Sequence, residues 1–132
     1  MVLVVKLLSK KSKSKISEFG NLYQFAKEYG VTKYGFVASE ILEDYRQSGT
    51  HCRLWPQTEL LKAELMLDSE DRLNRINHAL LLLIRFTDCG VAGLWYETFD
   101  LGKGLFNREP AKASSLYHLV CSINYLVENS SI

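Results

Sequence analysis

The stretch THCRLWPQTELLKAELM, residues 50–66, decides how the rest of the chain is read. A proline near a helix start is tolerated because its missing N–H would lack an intrahelical partner there, so Pro56 marks where a helix begins. Trp55 and Glu59 stand four residues apart and share one face at the mouth of that helix. The face offers a flat apolar plate beside a carboxylate, at the end where the helix dipole favours negative charge. Two readings fit this pair. In one, the ring carries a sugar and the carboxylate takes its hydroxyls. In the other, a core tryptophan sits beside a glutamate that only complements the dipole.

Working outward, Asp68, Ser69, Glu70 and Asp71 form a break with an acidic first turn, and residues 70–87 follow as a second helix. Its expected buried positions are Leu73, Ile76, Leu80, Leu83 and Ile84. Residues 79–84 are apolar nearly all round, which predicts packing on more than one side. So short a connection makes the two helices antiparallel neighbours. Upstream, residues 18–29 place Phe19, Leu22, Tyr23, Phe25, Ala26 and Tyr29 at three- and four-residue steps, with Gly30 as the C′ stop. Residues 34–38 and 40–45 read as short extended runs, with a turn near residues 47–49.

Downstream of the second helix, residues 88–93 form a glycine-containing turn, residues 94–99 (LWYETF) a strand, and residues 100–102 a further turn. Pro110 precedes a last helix over residues 111–128. One of its sides gathers Leu116, Leu119, Val120, Ile123, Leu126 and Val127, the expected core face. The other carries Ala111, Ser114, Ser115, His118, Cys121, Ser122 and Tyr125. A solvent-facing surface would hold Lys and Glu, so this small, weakly polar side is expected to face a protein-lined cavity with His118 at its centre. Four helices alternating with short excursions predict an all-α fold, part of a toroid of helical pairs, with no repeat at the level of sequence.

With 132 residues, 47% hydrophobic and 23% charged, the chain fits one ordinary globular domain. The net charge of +1 hides an asymmetry: Lys6, Lys10, Lys11, Lys13 and Lys15 crowd the first seventeen residues, leaving eleven basic against fifteen acidic side chains in the body. Residues 1–17 are expected to be a disordered basic segment, and residues 18–132 the folded body. A body of that sign tracks no phosphate backbone, so no nucleic-acid partner is expected. No apolar run reaches the roughly 18 residues needed to cross a bilayer, so no membrane partner is expected either. Cys52, Cys89 and Cys121 lack metal-ligand spacing and read as reduced thiols of a cytoplasmic protein.

His118 is the candidate acid/base group, because imidazole exchanges protons near neutral pH, and Glu59 is its partner if the two helix faces meet. A satisfied core histidine is the competing interpretation. His51, in a loop, and His78, between core leucines, have weaker claims. No HxxH, HxxE or HExxH spacing occurs, so no metal site is expected.

RLWPQTELLKAEL (residues 53–65) resembles the W-P-Q-x-E helix of the N-acylglucosamine 2-epimerase family. GLWYETFD (93–100) is similar to that family's G-x-W-(Y/F) strand and turn, and PAKASSLYHLV (110–120) to its helix ending in an essential histidine. NLYQFAKEYG (21–30) and GFVASEILEDYRQSG (35–49) also match, so the resemblance spans residues 18–126. It implies an (α/α)6 barrel, of which residues 18–132 form the C-terminal third, four helices of twelve. It implies an epimerase or isomerase that transfers a proton at C2 of an opened, mannose-like sugar, free or phosphorylated, through an enediolate, using two histidines and neither metal nor cofactor. His118 then matches the second catalytic histidine, Trp55 the aromatic packed on the sugar, Gln57 and Glu59 polar groups around it, and Trp95 a pocket wall. The family's G-H-x-x-E-W helix, which carries the first histidine, has no counterpart, and residues 1–17 match nothing in the family. The chain is therefore expected to be catalytically incomplete alone, with a companion chain or self-association completing the barrel. The alternative is a non-catalytic helical binding or assembly module derived from that fold.

Overall fold

The computed structural model describes residues 13–130. Four helices form its frame: α1 (Lys13–Tyr29), α2 (Leu54–Met66), α3 (Arg72–Thr87) and α4 (Ala113–Asn129). The first helix begins earlier than expected, since residues 13–17 of the Lys/Ser segment are helical; the expectation of disorder for residues 1–12 lies outside the described residues. Gly30 ends α1 through a close approach. Its N–H donates to the Ala26 carbonyl at 2.8 Å, and a Cβ would lie 2.5 Å from that oxygen.

The excursion after α1 is a hairpin of β1 (Glu40–Ile41) and β2 (Gln47–Ser48), paired antiparallel with Glu40 opposite Ser48. Its turn falls at residues 42–46 rather than 47–49, with Tyr45 in the left-handed region at φ 66°. For a non-glycine residue that conformation is strained. The Tyr45 ring stacks on Tyr29 at 5.0 Å and meets Phe25 edge-on at 5.5 Å, which offsets the strain.

A second antiparallel sheet runs β3 (His51–Arg53), β4 (Thr98–Asp100), β5 (Leu105–Phe106). His51 pairs with Asp100, Cys52 with Phe99 and Arg53 with Thr98. Only the end of the expected 94–99 strand joins it. Before Thr98 the chain turns, with the Tyr96 N–H donating to Phe86 at the end of α3 (2.7 Å), so residues 94–97 have no strand partner.

β3 leads straight into α2. Arg53 is extended at the N-cap, and Pro56 is the third helical residue, still within the turn whose N–H groups lack intrahelical partners. This helix is the centre of the fold, packed against α3 on one side and α4 on another. Leu54, Leu61, Ala63 and Leu65 are buried, and so are Gln57, Thr58, Glu59 and Glu64. The helix covered all round is thus this mixed one, not the more apolar α3. In α3, Ile76, Ala79, Leu82, Leu83 and Phe86 are buried, whereas the expected core residues Leu73 and Ile84 are exposed. Burial of α2 is possible because most of its buried polar groups are satisfied: Glu64 accepts from Tyr23 (2.8 Å), Lys27 (3.2 Å) and Arg75, joining three helices.

The core gathers Phe36, Cys52, Leu54, Leu61, Leu65, Phe86, Phe99 and Leu119 with the residues around them. Rings of Phe36, Phe86, Phe99 and Phe106 meet tilted or edge to face at 4.8–5.9 Å, and Arg85 lies over Phe36 at 4.6 Å. On α4 the covered strip straddles the two expected faces: Leu119 and Leu126 of the apolar side reach the core as expected, but residues of the small side do so too. Ser115 and Ser122 are buried with Leu119, whereas Leu116, Val120, Ile123 and Val127 are 50%, 47%, 48% and 70% exposed. The small face is therefore a helix-packing surface against α2, because small side chains let two backbones approach closely.

Candidate functional site

α2 and α4 meet near their N-terminal ends, and there Trp55, Glu59 and His118 come together. The Trp55 and His118 rings are 6.0 Å apart, tilted by 36°. His118 Nδ1 lies 3.8 Å from Glu59 Oε1, too long for a hydrogen bond but within ion-pair range when the imidazole is charged. The Glu59 side chain is only 6% exposed and His118 is 35% exposed, so the carboxylate forms the floor and the imidazole the rim. Lys62, one turn on, contacts the same Oε1 at 2.6 Å, while Oε2 is buried with no hydrogen-bond partner among the described residues. Tyr117 meets the His118 ring nearly at right angles, 5.7 Å away.

This arrangement supports proton transfer. A neutral imidazole accepts a proton, and the buried carboxylate beside it stabilises the resulting cation. Lys62 restrains the carboxylate and offsets its charge. Trp55 extends from this cluster to a neighbouring open hollow of about 510 Å³, whose other walls include Ser39, Ser48, Thr50, His51 and Arg53. An indole face bordered by hydroxyl groups suits a polyhydroxylated ligand.

Two other sequence candidates lie apart from the cluster. Gln57 is fully buried and its amide is committed: Oε1 accepts from the Val37 N–H at 2.9 Å, and Nε2 donates to the carbonyls of Val37 (2.9 Å) and Arg53 (3.0 Å). It fastens the α1–β1 connection to α2, where the sequence motif suggested a polar group around the sugar. Trp95 lines a different hollow, with Leu94, Tyr96, Arg108 and Pro110, that contains neither Trp55, Glu59 nor His118. Its Nε1 is buried without a hydrogen-bond partner among the described residues.

Sequence reasoning missed several groups. Lys62 was legible, being three residues from Glu59 on the same face. Arg53 borders the hollow at the start of α2 and was adjacent in sequence to the motif. His51 belongs to β3 rather than a loop. Its Nδ1 is 2.7 Å from Thr50 Oγ1 and its Nε2 3.6 Å from Asp100 Oδ2. Asp100 also accepts from the Lys103 and Gly102 N–H groups, both at 2.9 Å, and these bonds, Lys103 first, hold its carboxyl below the usual range. Only strand pairing brings His51 and Asp100 together, so no sequence signal reveals them.

Comparison with known proteins gives a consistent picture. The family described as N-acylglucosamine 2-epimerase (GlcNAc 2-epimerase) matches residues 1–122. The match includes residues 1–17, which the motif resemblance had left outside the family. A mannose-6-phosphate isomerase of Rhizobium meliloti (strain 1021) is 35% identical over 94 residues, covering 66% of this chain and 24% of that protein. The structure of cellobiose 2-epimerase from Spirochaeta thermophila DSM 6192 aligns with 98% of this chain at a TM-score of 0.77 and 14% identity, over 36% of its own length. The four helices thus have the fold of part of an (α/α)6 barrel, and the chain spans well under half the length of either relative.

Proposed function

Since this chain belongs to the N-acylglucosamine 2-epimerase family, we propose that it supplies one half of the proton-transfer site of a sugar 2-epimerase or aldose–ketose isomerase. The substrate is a mannose-like sugar, in the open-chain form whose C2 proton is acidified by the neighbouring carbonyl. The observation that carries this reading is the seating of His118 against both Trp55 and buried Glu59. The sugar lies along the Trp55 indole. His118 accepts the C2 proton in forming an enediolate and returns it to C1 or C2, while Glu59 stabilises the imidazolium between the two steps. Arg53 at the edge of the hollow is placed to meet a phosphate on such a sugar, which supports extending the substrate class to sugar phosphates.

Epimerisation requires a proton to arrive on the opposite face of C2, and His118 serves one face only. The residues for the other face belong to the remainder of the barrel, so the chain alone is expected to be inactive. Conversion of mannose to its C2 epimer or to the 2-ketose, followed by proton NMR, tests both statements. The 132-residue chain should show none; a chain completed to a full barrel should convert it, and His118→Asn should lower that conversion at least ~100-fold. Conversion by the isolated chain would refute its incompleteness, and full conversion by the His118→Asn barrel would refute the role of His118.

A second reading is favoured by a separate observation. Leu116, Val120, Ile123 and Val127 form an exposed apolar stripe along α4, and Leu81 and Ile84 are exposed on α3. Such faces are those of an assembly module, which would self-associate or join companion helices without catalysing a reaction.

A further inference from the structure

Glu97 ties together the beginnings of the two helices that carry the site. Its backbone carbonyl accepts the N–H of Leu54, the first residue of α2, at 3.0 Å. Its side-chain carboxylate accepts from Ser115 Oγ at 2.8 and 2.7 Å and from the N–H of Lys112, the N-cap of α4, at 3.2 Å. Ser115 is only 3% exposed, so its hydroxyl has little access to water as a replacement acceptor. A carboxylate at a helix N-terminus also complements the dipole. Glu97 is itself held on both sides: Tyr96 donates to Phe86, and Thr98 pairs with Arg53 across the sheet.

The geometry at either end leads directly to the site. Trp55 follows Leu54, and Glu59 lies on the next turn of α2. His118 is three residues beyond Ser115, so it projects from the same side of α4 one turn on. We infer that Glu97 is a positioning residue, which sets the start of α4 against the start of α2 and thereby brings His118 to Trp55 and Glu59. Among the described residues its hydrogen bonds go to Leu54, Lys112 and Ser115, and none goes to the imidazole or the indole. This role rests on the proposed function for its purpose, but its test does not, because the readout is geometric.

The test is two-dimensional NMR on the full chain, following the cross-relaxation between the Trp55 and His118 ring protons that a 6.0 Å ring separation allows. Glu97→Ala should abolish this cross-peak while leaving His78 ring signals unchanged. Glu97→Gln, which keeps an acceptor oxygen for Ser115, should retain it. Ser115→Ala should weaken it, and the Glu97→Ala/Ser115→Ala double variant should lose no more than Glu97→Ala alone. A Glu97→Ala protein that melts at lower temperature but keeps the cross-peak would reduce Glu97 to a stabilising cap and overturn the inference. If Glu97→Ala does not fold, a folded Ser115→Ala with an unchanged cross-peak overturns it equally.

Discussion

Gln57 shows how a polar side chain beside a candidate site can be engaged by the fold itself. Three hydrogen bonds engage both ends of its amide, and two of them run to one residue, Val37, twenty positions away. Replacing it by leucine leaves a buried N–H and two carbonyls without those partners, and each such group costs more than the bond itself was worth. Gln57→Leu should therefore lower unfolding stability by about 3 kcal/mol, read from urea denaturation of the purified chain. Glutamate at the same position should fare no better, because a carboxylate cannot donate to the Val37 and Arg53 carbonyls. If Gln57→Leu costs nothing, the amide is not the fastening between the connection and α2. Trp55, Glu59 and His118 differ from Gln57 in having groups left over: one carboxylate oxygen and a rim imidazole. Spare capacity, not residue type, distinguishes the candidate cluster from Gln57.

Among the helices, packing is set by how α2 is accommodated from three sides. Glu64 draws Tyr23 of α1 and Arg75 of α3 onto it, and Arg72 bonds to the Leu65 carbonyl at 3.1 Å and the Asn129 carbonyl at 3.4 Å, so the ends of α2 and α4 are gathered at the start of α3. The Tyr23 hydroxyl is pushed up to about 12, first by burial and then by donating to the Glu64 carboxylate, which repels a phenolate. The sign follows. An unfolded tyrosine ionises near pH 10, whereas the folded one keeps its proton to about 12, so its contribution is complete below pH 10 and is lost as pH rises towards 12. The urea midpoint should accordingly fall between pH 9 and pH 11.5, and Tyr23→Phe should fall less over that interval. Identical pH profiles for the two proteins would show that α1 is not held to α2 through this hydroxyl.

For the whole molecule, the telling feature is the apolar stripe left uncovered on α4. Leu116, Val120, Ile123 and Val127 are spaced by four, three and four residues, the spacing of a seam between packed helices. We propose that this seam is where the barrel continues, through a second copy or through companion helices. Sedimentation velocity on the purified chain should give a mass that rises with concentration. The Val120→Lys/Ile123→Lys variant should remain folded by circular dichroism and sediment as a monomer at all concentrations. A wild-type chain that is monomeric throughout would remove self-association and leave companion helices as the occupant.

The sequence by itself determined the four helices, the place where α2 begins, the family, and the candidates Trp55, Glu59 and His118. Those features are local: helix periods, a proline near a helix start, and ordered motifs within short stretches. Tertiary structure decided which faces are covered. The 3.6-residue period shows that Leu116, Val120 and Ile123 share a side, and that Ser115 and Ser122 share another, but not which side meets α2. That choice went to the small side chains, which permit close approach, and to a polar α2 whose buried groups all but Glu59 Oε2 could be matched within it or by distant partners. The same reason hid Glu97 and committed Gln57: hydrogen-bond satisfaction between residues far apart in the chain is settled only when the chain is folded.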